Sequence, residues 1–199
     1  MILFVRHGET APNRKGLLLG RSDPPLTDRG REQADELAQR VAALEPTAVV
    51  SSPLGRAQAT AAPIAAAAGR AVDVDDRLVE IDYGEWDGQP LADLTAEVVT
   101  RWRADADFAP PGGESLRMVG GRVAGFCEER LGRDVVVAVS HVSPIKAAVT
   151  WALGVSDERA WRMRLDVASI TRIAPGPVLL GFNERVHVEK LPSDEEGAG

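Results

Sequence analysis

Ile2-Leu3-Phe4-Val5-Arg6-His7-Gly8-Glu9-Thr10 is the stretch from which the rest of the chain is read. Four apolar residues predict a short buried strand, and the polar group behind them falls at its C-terminal edge, where open α/β sheets hold their ligands. Gly8 lets a ligand approach the backbone, Arg6 offers a planar fork of donors suited to phosphate or carboxylate oxygens, and Asn13 adds an uncharged donor.

Further apolar runs at residues 48–50, 135–139 and 167–173 read as strands, with helical patterns between most of them. That alternation predicts an α/β sandwich. Thr27 reads as the N-cap of a helix to about residue 44, with Ala34, Leu37, Val41 and Leu44 on one face. Ser52, with Pro53 in the first helical position, opens a second helix whose first turn carries Arg56. A third starts near Ser115, after Pro110-Pro111-Gly112-Gly113, and a fourth covers residues 144–153. Pro175-Gly176-Pro177 predicts a final edge hairpin. The alanine-rich stretch 57–68 follows a good helix start and is expected to pack closely on the sheet. The reading is one domain over residues 1–192, with the small, acidic residues 193–199 as a disordered tail.

With 199 residues, 23 basic against 30 acidic and a net charge of -7, the chain has no global field to attract nucleic acid or anionic lipid. Any anion is therefore captured locally. A single cysteine, Cys127, excludes an internal disulfide and reads as a core thiol in a reducing compartment. The run 2–5 is too short for a signal-peptide core and no stretch reaches the length of a membrane span, so the expected location is cytoplasmic.

Two of the three histidines, His7 and His141, stand at strand ends. With Arg6 and Arg56 they form up to four cations on one sheet edge, and a phosphate dianion satisfies such a cluster best. A neutral imidazole beside bound phosphate can attack phosphorus and form a phosphohistidine; on chemistry alone either histidine qualifies. Departure of the leaving group needs an acid. The segment 78–86 supplies Glu80, Asp82 and Glu85 beside apolar residues, and Glu80 is the choice among the three. The bland alternatives are a boundary histidine, an arginine in an ion pair and tryptophans (Trp86, Trp102, Trp151, Trp161) in the core; His187, in a terminal strand, reads as structural.

Arg6-His7-Gly8-Glu9-Thr10 with Asn13 resembles the signature of the histidine phosphatase, or phosphoglycerate mutase-like, superfamily. Leu26-Thr27-Asp28-Arg29-Gly30, Ser51-Ser52-Pro53-Leu54 with Arg56, the segment 80–88, Pro111-Gly112-Gly113-Glu114-Ser115 and Ser140-His141 are similar to its further motifs, in order, over residues 1–153. The resemblance implies a three-layer α/β/α sandwich, its mostly parallel sheet closed by an antiparallel edge. It also implies His7 as the phosphorylated nucleophile, Glu80 as proton donor, and Arg6, Asn13, Arg56 and His141 around the phosphoryl group of a small phosphorylated metabolite. Neither metal nor organic cofactor is implied.

Hydrolysis is the expected outcome. A mutase keeps its phosphoenzyme from water, and mutases resembling this fold are longer, with a closing tail, whereas a non-catalytic binding module has no need of nucleophile and acid together. One departure stands out: many relatives carry glycine after the second histidine, where this chain reads Val142-Ser143-Pro144-Ile145-Lys146. That change is expected to reshape the substrate side. Substrate and oligomeric state are not decoded by any motif.

Overall fold

The strand at the start of the chain, β1 (Ile2–Arg6), is the centre of the sheet, and its first four residues are fully buried. The computed structural model describes residues 1–185. After β1 come a one-turn helix α1 (Ala11–Arg14), α2 (Asp28–Ala42), β2 (Ala48–Ser51), α3 (Gly55–Ala68) and β3 (Val72–Val74). The second half supplies α4 (Ala96–Ala104), α5 (Leu116–Arg130), β4 (Val136–Ser140), α6 (Val142–Leu153), β5 (Ser169–Ala174) and β6 (Val178–Arg185).

Strand order is β3-β2-β4-β1-β5-β6. The first four are mutually parallel, and β5 and β6 complete an antiparallel edge. Alternation along each strand separates two cores. Ile2, Phe4, Val50 and Ala138 pack towards α5 and α6, and Leu3, Val5, Val49, Val137 and Val139 pack towards α2 and α3. Each fully buried side chain of this size stabilises the fold by about 1.5–3 kcal/mol. The result is the expected three-layer sandwich with a mostly parallel sheet.

The helix from Thr27 starts where expected: the Thr27 hydroxyl accepts from Gly30 N at 3.0 Å. Its neighbour differs. Ser52 and Pro53 precede the helix rather than open it, and α3 begins at Gly55 after Leu54, its first turn capped by Asp23, which accepts from Gly55 N at 2.5 Å. Pairing explains the shift, because Ser52 N still donates to Val139 O at 2.9 Å and so continues the ladder. The fourth helix likewise starts earlier, at Val142 rather than Pro144, with His141 as its N-cap.

Two elements carry no clear sequence signal. β3 has three residues, two of them exposed, and α4 buries only Trp102. Cys127 is buried in α5, where desolvation pushes its thiol up to about 12, as expected of a core thiol. No helix among the described residues is long and apolar enough to cross a membrane. His187, the tail 193–199 and the end of the expected domain at 192 lie outside the described residues.

Candidate functional site

Register alone brings the two histidines together. Arg6 pairs with Ser140 across parallel strands, and His7 N continues the ladder by donating to Ser140 O at 3.0 Å. His7 and His141 therefore leave adjacent strands at the same level, with ring centroids 5.1 Å apart and both side chains buried. Ser52, on the next strand's end, lies 2.7 Å from His141 Nε2 through its Oγ.

The turn after β1 is held by close backbone packing. A Cβ on Gly8 would lie 2.3 Å from Gly30 O, so only glycine lets the turn rest against the start of α2. Gly8 N donates to Thr60 Oγ1 at 3.0 Å, and the same hydroxyl donates to Arg56 O at 2.9 Å, tying the turn to the arginine helix.

His7 Nδ1 donates to Gly8 O at 2.7 Å, which puts the proton on Nδ1 and leaves Nε2 with a lone pair. Burial, then the neighbouring Arg6 and Arg56, hold the His7 imidazole well below the ordinary histidine range. His141 is lowered for the same reasons, burial first and then His7 and the arginines. Both rings are therefore neutral near pH 7.

The expected phosphate contacts differ in their present engagement. Arg6 donates from one terminal nitrogen to Leu165 O at 2.6 Å, and burial pushes its guanidinium down to about 10. Arg56 is almost fully enclosed; its terminal nitrogens donate to Ser22 O at 2.7 Å and Gly20 O at 2.8 Å, and Asp23 completes the clasp. Asp87 anchors that loop by accepting from Gly20 N and Ser22 N. Asn13 accepts from Thr10 N and Oγ1 through its amide oxygen, which leaves the amide N–H groups as its donors.

Among the described residues, Arg6 Nε, Arg56 Nε and His141 Nδ1 are buried without a hydrogen-bond partner. Buried polar atoms are nearly always paired, so three orphans in one cluster mark a place that an anion's oxygens would complete.

The three candidate acids separate cleanly. Glu85 is exposed, and the Asp82 carboxylate accepts from Gly84 N in a local turn. Glu80 is 3% exposed and lies against the start of α6, accepting from Val142 N and Ser143 N at 3.0 Å and from Ile81 N at 2.9 Å. Of the three, it is the one held against the residues that follow His141.

A cleft of about 350 Å³ reaches Arg6 and Asn13 on the α2 side, and its further wall is formed by Arg164, Asp166, Val167, Ala168 and Arg185. A smaller cavity of about 80 Å³ lies on the other side, against Val142 and Ser143. Among the described residues no three His, Cys, Asp or Glu side chains gather as a metal site.

Asp23 and Asp87, which orient the expected residues, carry no individual signal in the sequence. Ser52 lies within the second arginine motif, as does Thr60, but only pairing in space reveals the contact of Ser52 with His141.

A family model described as histidine phosphatase superfamily (branch 1) matches residues 2–178. Phosphoserine phosphatase 1 of Hydrogenobacter thermophilus is 37% identical over 179 residues, covering 86% of this chain and 85% of that protein. Among solved structures, a mycobacterial glucosyl-3-phosphoglycerate phosphatase complexed with VO3 has a TM-score of 0.84 at 29% identity, covering 92% of this chain and 98% of that one. A phosphoserine phosphatase of Entamoeba histolytica, in complex with 3-phosphoglyceric acid, has a TM-score of 0.83 at 28% identity, covering 92% and 96%.

Proposed function

This chain belongs to the histidine phosphatase superfamily, branch 1, and is a phosphatase of that type; we propose that it hydrolyses small phosphomonoesters through a phosphohistidine on His7, without a metal ion. The observation that carries this reading is the Nδ1–H···O bond from His7 to Gly8, which aims a neutral Nε2 lone pair from a cluster of cations. The names of the relatives, phosphoserine and glucosyl-3-phosphoglycerate phosphatases, support small phosphorylated metabolites as the substrate class.

In the first half-reaction His7 Nε2 forms the bond to phosphorus as the bond to the leaving oxygen breaks, and protonated Glu80 gives that oxygen its proton. Arg6, Arg56, Asn13 and His141 meet the charge spread over the phosphoryl oxygens. In the second, Glu80 takes a proton from water as the water oxygen attacks phosphorus. The phosphorus–nitrogen bond then breaks, restoring His7 and releasing inorganic phosphate.

The test is rapid quenching with a phosphorus-labelled ester, chelator present throughout. An acid-labile, base-stable label on the peptide containing His7, with chelator-resistant phosphate release, is expected. Label on another residue, release that requires a divalent metal, or isomerisation of 3-phosphoglycerate without release would each overturn the reading.

A further inference from the structure

The cavity of about 80 Å³ beyond Glu80 has a wall chemistry that the phosphate cluster does not explain. Ile81 and Ser143, two of its lining residues, donate their backbone N–H groups to Glu80 Oε1, so the cavity begins where the acid is held. Its other polar lining residues are Tyr83, Trp102, Lys146 and Trp161.

These side chains are a set of donors. Lys146 is half-buried and has no ion pair within 4.0 Å among the described residues; Glu80 acts on it only at longer range. Burial lowers its pKa, the mark of an ammonium without a close counter-charge. The indole N–H groups of Trp102, 1% exposed, and of Trp161 are buried with no acceptor. The Tyr83 hydroxyl hydrogen-bonds with the Ser143 side chain, and burial raises its pKa, so it keeps its proton. Among the described residues, no carboxylate lines the cavity.

We propose that this cavity is the leaving-group subsite and that Lys146 selects phosphoesters whose alcohol carries a carboxylate. The inference rests on the phosphatase reading, with Glu80 at the leaving oxygen. A half-buried ammonium and two orphan indole donors call for an anionic acceptor with more than one oxygen. A carboxylate meets these donors with two oxygens and with the single negative charge that one ammonium balances, on a wall otherwise formed by Ile81, Leu116, Val142 and Ala160. The cavity begins at the residues that hold Glu80, so the proposal places the carboxylate on a carbon near the leaving oxygen.

A matched pair of substrates tests this, because 3-phosphoglycerate and glycerol 3-phosphate differ only in the carboxylate. The wild-type protein is expected to favour 3-phosphoglycerate at least tenfold in kcat/KM. Lys146→Met should reduce that ratio below threefold, mainly through KM, and Lys146→Arg should restore most of it. Trp161→Phe, which deletes the N–H but keeps a ring, should reduce the ratio about twofold to fivefold. A wild-type ratio near one, or Lys146→Met slowing both substrates equally, would overturn the assignment. Calorimetric binding of the same two compounds to His7→Ala, with and without Lys146→Met, gives the ratio without turnover. Absence of phosphate release would then reject the phosphatase reading while the binding ratio still decides the role of Lys146.

Discussion

His7 and His141 reach one sheet edge on adjacent parallel strands, whereas Tyr83, Trp102, Lys146 and Trp161 converge from four segments, none of them a strand. The first arrangement has one solution, because a one-residue slip of β1 against β4 would exchange the side chains that pack into its two cores. The second depends on where α4, α6 and the turns before β5 come to rest. On the proposed reading, the phosphate end is fixed by the same pairing that makes the sheet, and the leaving-group end by the packing of helices and turns. Chemistry is then assigned to the first and selectivity to the second.

The sharpest break of this comparison is His7→Ala. Loss of a nucleophile lowers turnover by about 10⁴-fold or more on every ester, whatever its alcohol. The variant is expected to remain folded, because its removal relieves a buried imidazole beside two guanidinium groups. Phosphate release with p-nitrophenyl phosphate, alongside a thermal melt, checks both halves. Wild-type-like turnover would remove His7 from the mechanism.

Glu80→Gln lies between the two regions and should show it. An aryl ester such as p-nitrophenyl phosphate has a leaving group that needs little protonation, so its rate should fall by about tenfold or less. An alkyl ester such as glycerol 3-phosphate should lose about 10²–10⁴-fold, the usual size of general-acid assistance. Equal losses on both would show that the carboxylate serves only to hold the start of α6, where it accepts from Val142 N and Ser143 N.

The same contrast governs what the sequence discloses. β1, β2, β4 and the β5–β6 hairpin announce themselves as apolar runs bounded by breakers, and the strand-end histidines and arginines follow from them. β3 escapes because Val72-Asp73-Val74 is a short, exposed edge with no apolar run to read. Ser52-Pro53 imitates a helix start, yet strand pairing holds Ser52 in the ladder. Trp102 and Trp161 look like ordinary core residues, and their indole rings do meet at 4.8 Å. That both line a cavity with Lys146 depends on three-dimensional convergence, for which no local spacing stands proxy. The departure at residues 142–146 is the one linear hint of an altered substrate side.

The smallest effect concerns stability rather than rate, and it too distinguishes the two ends. In the unfolded chain a histidine titrates near 6.5, whereas burial holds His7 and His141 well below that in the folded protein. Between those values the unfolded chain takes up protons that the native state refuses, so stability falls as pH drops below about 6.5. Each ring contributes up to about 1.4 kcal/mol per pH unit. Asp166 does not blur this window: despite its desolvation, hydrogen bonds from Asn183, Arg185 and Arg164 hold it at about 2, so its contribution is lost only at much lower pH. Urea unfolding between about pH 7 and 5.5 should therefore show a decline that is roughly halved in His141→Gln. Phosphate or vanadate should flatten it further in the wild type, since a bound dianion favours the protonated rings. Lys146→Met, at the other end of the site, should leave the slope unchanged. An equal flattening by Lys146→Met would place the acid sensitivity outside the histidine pair and dissolve the distinction between the two ends.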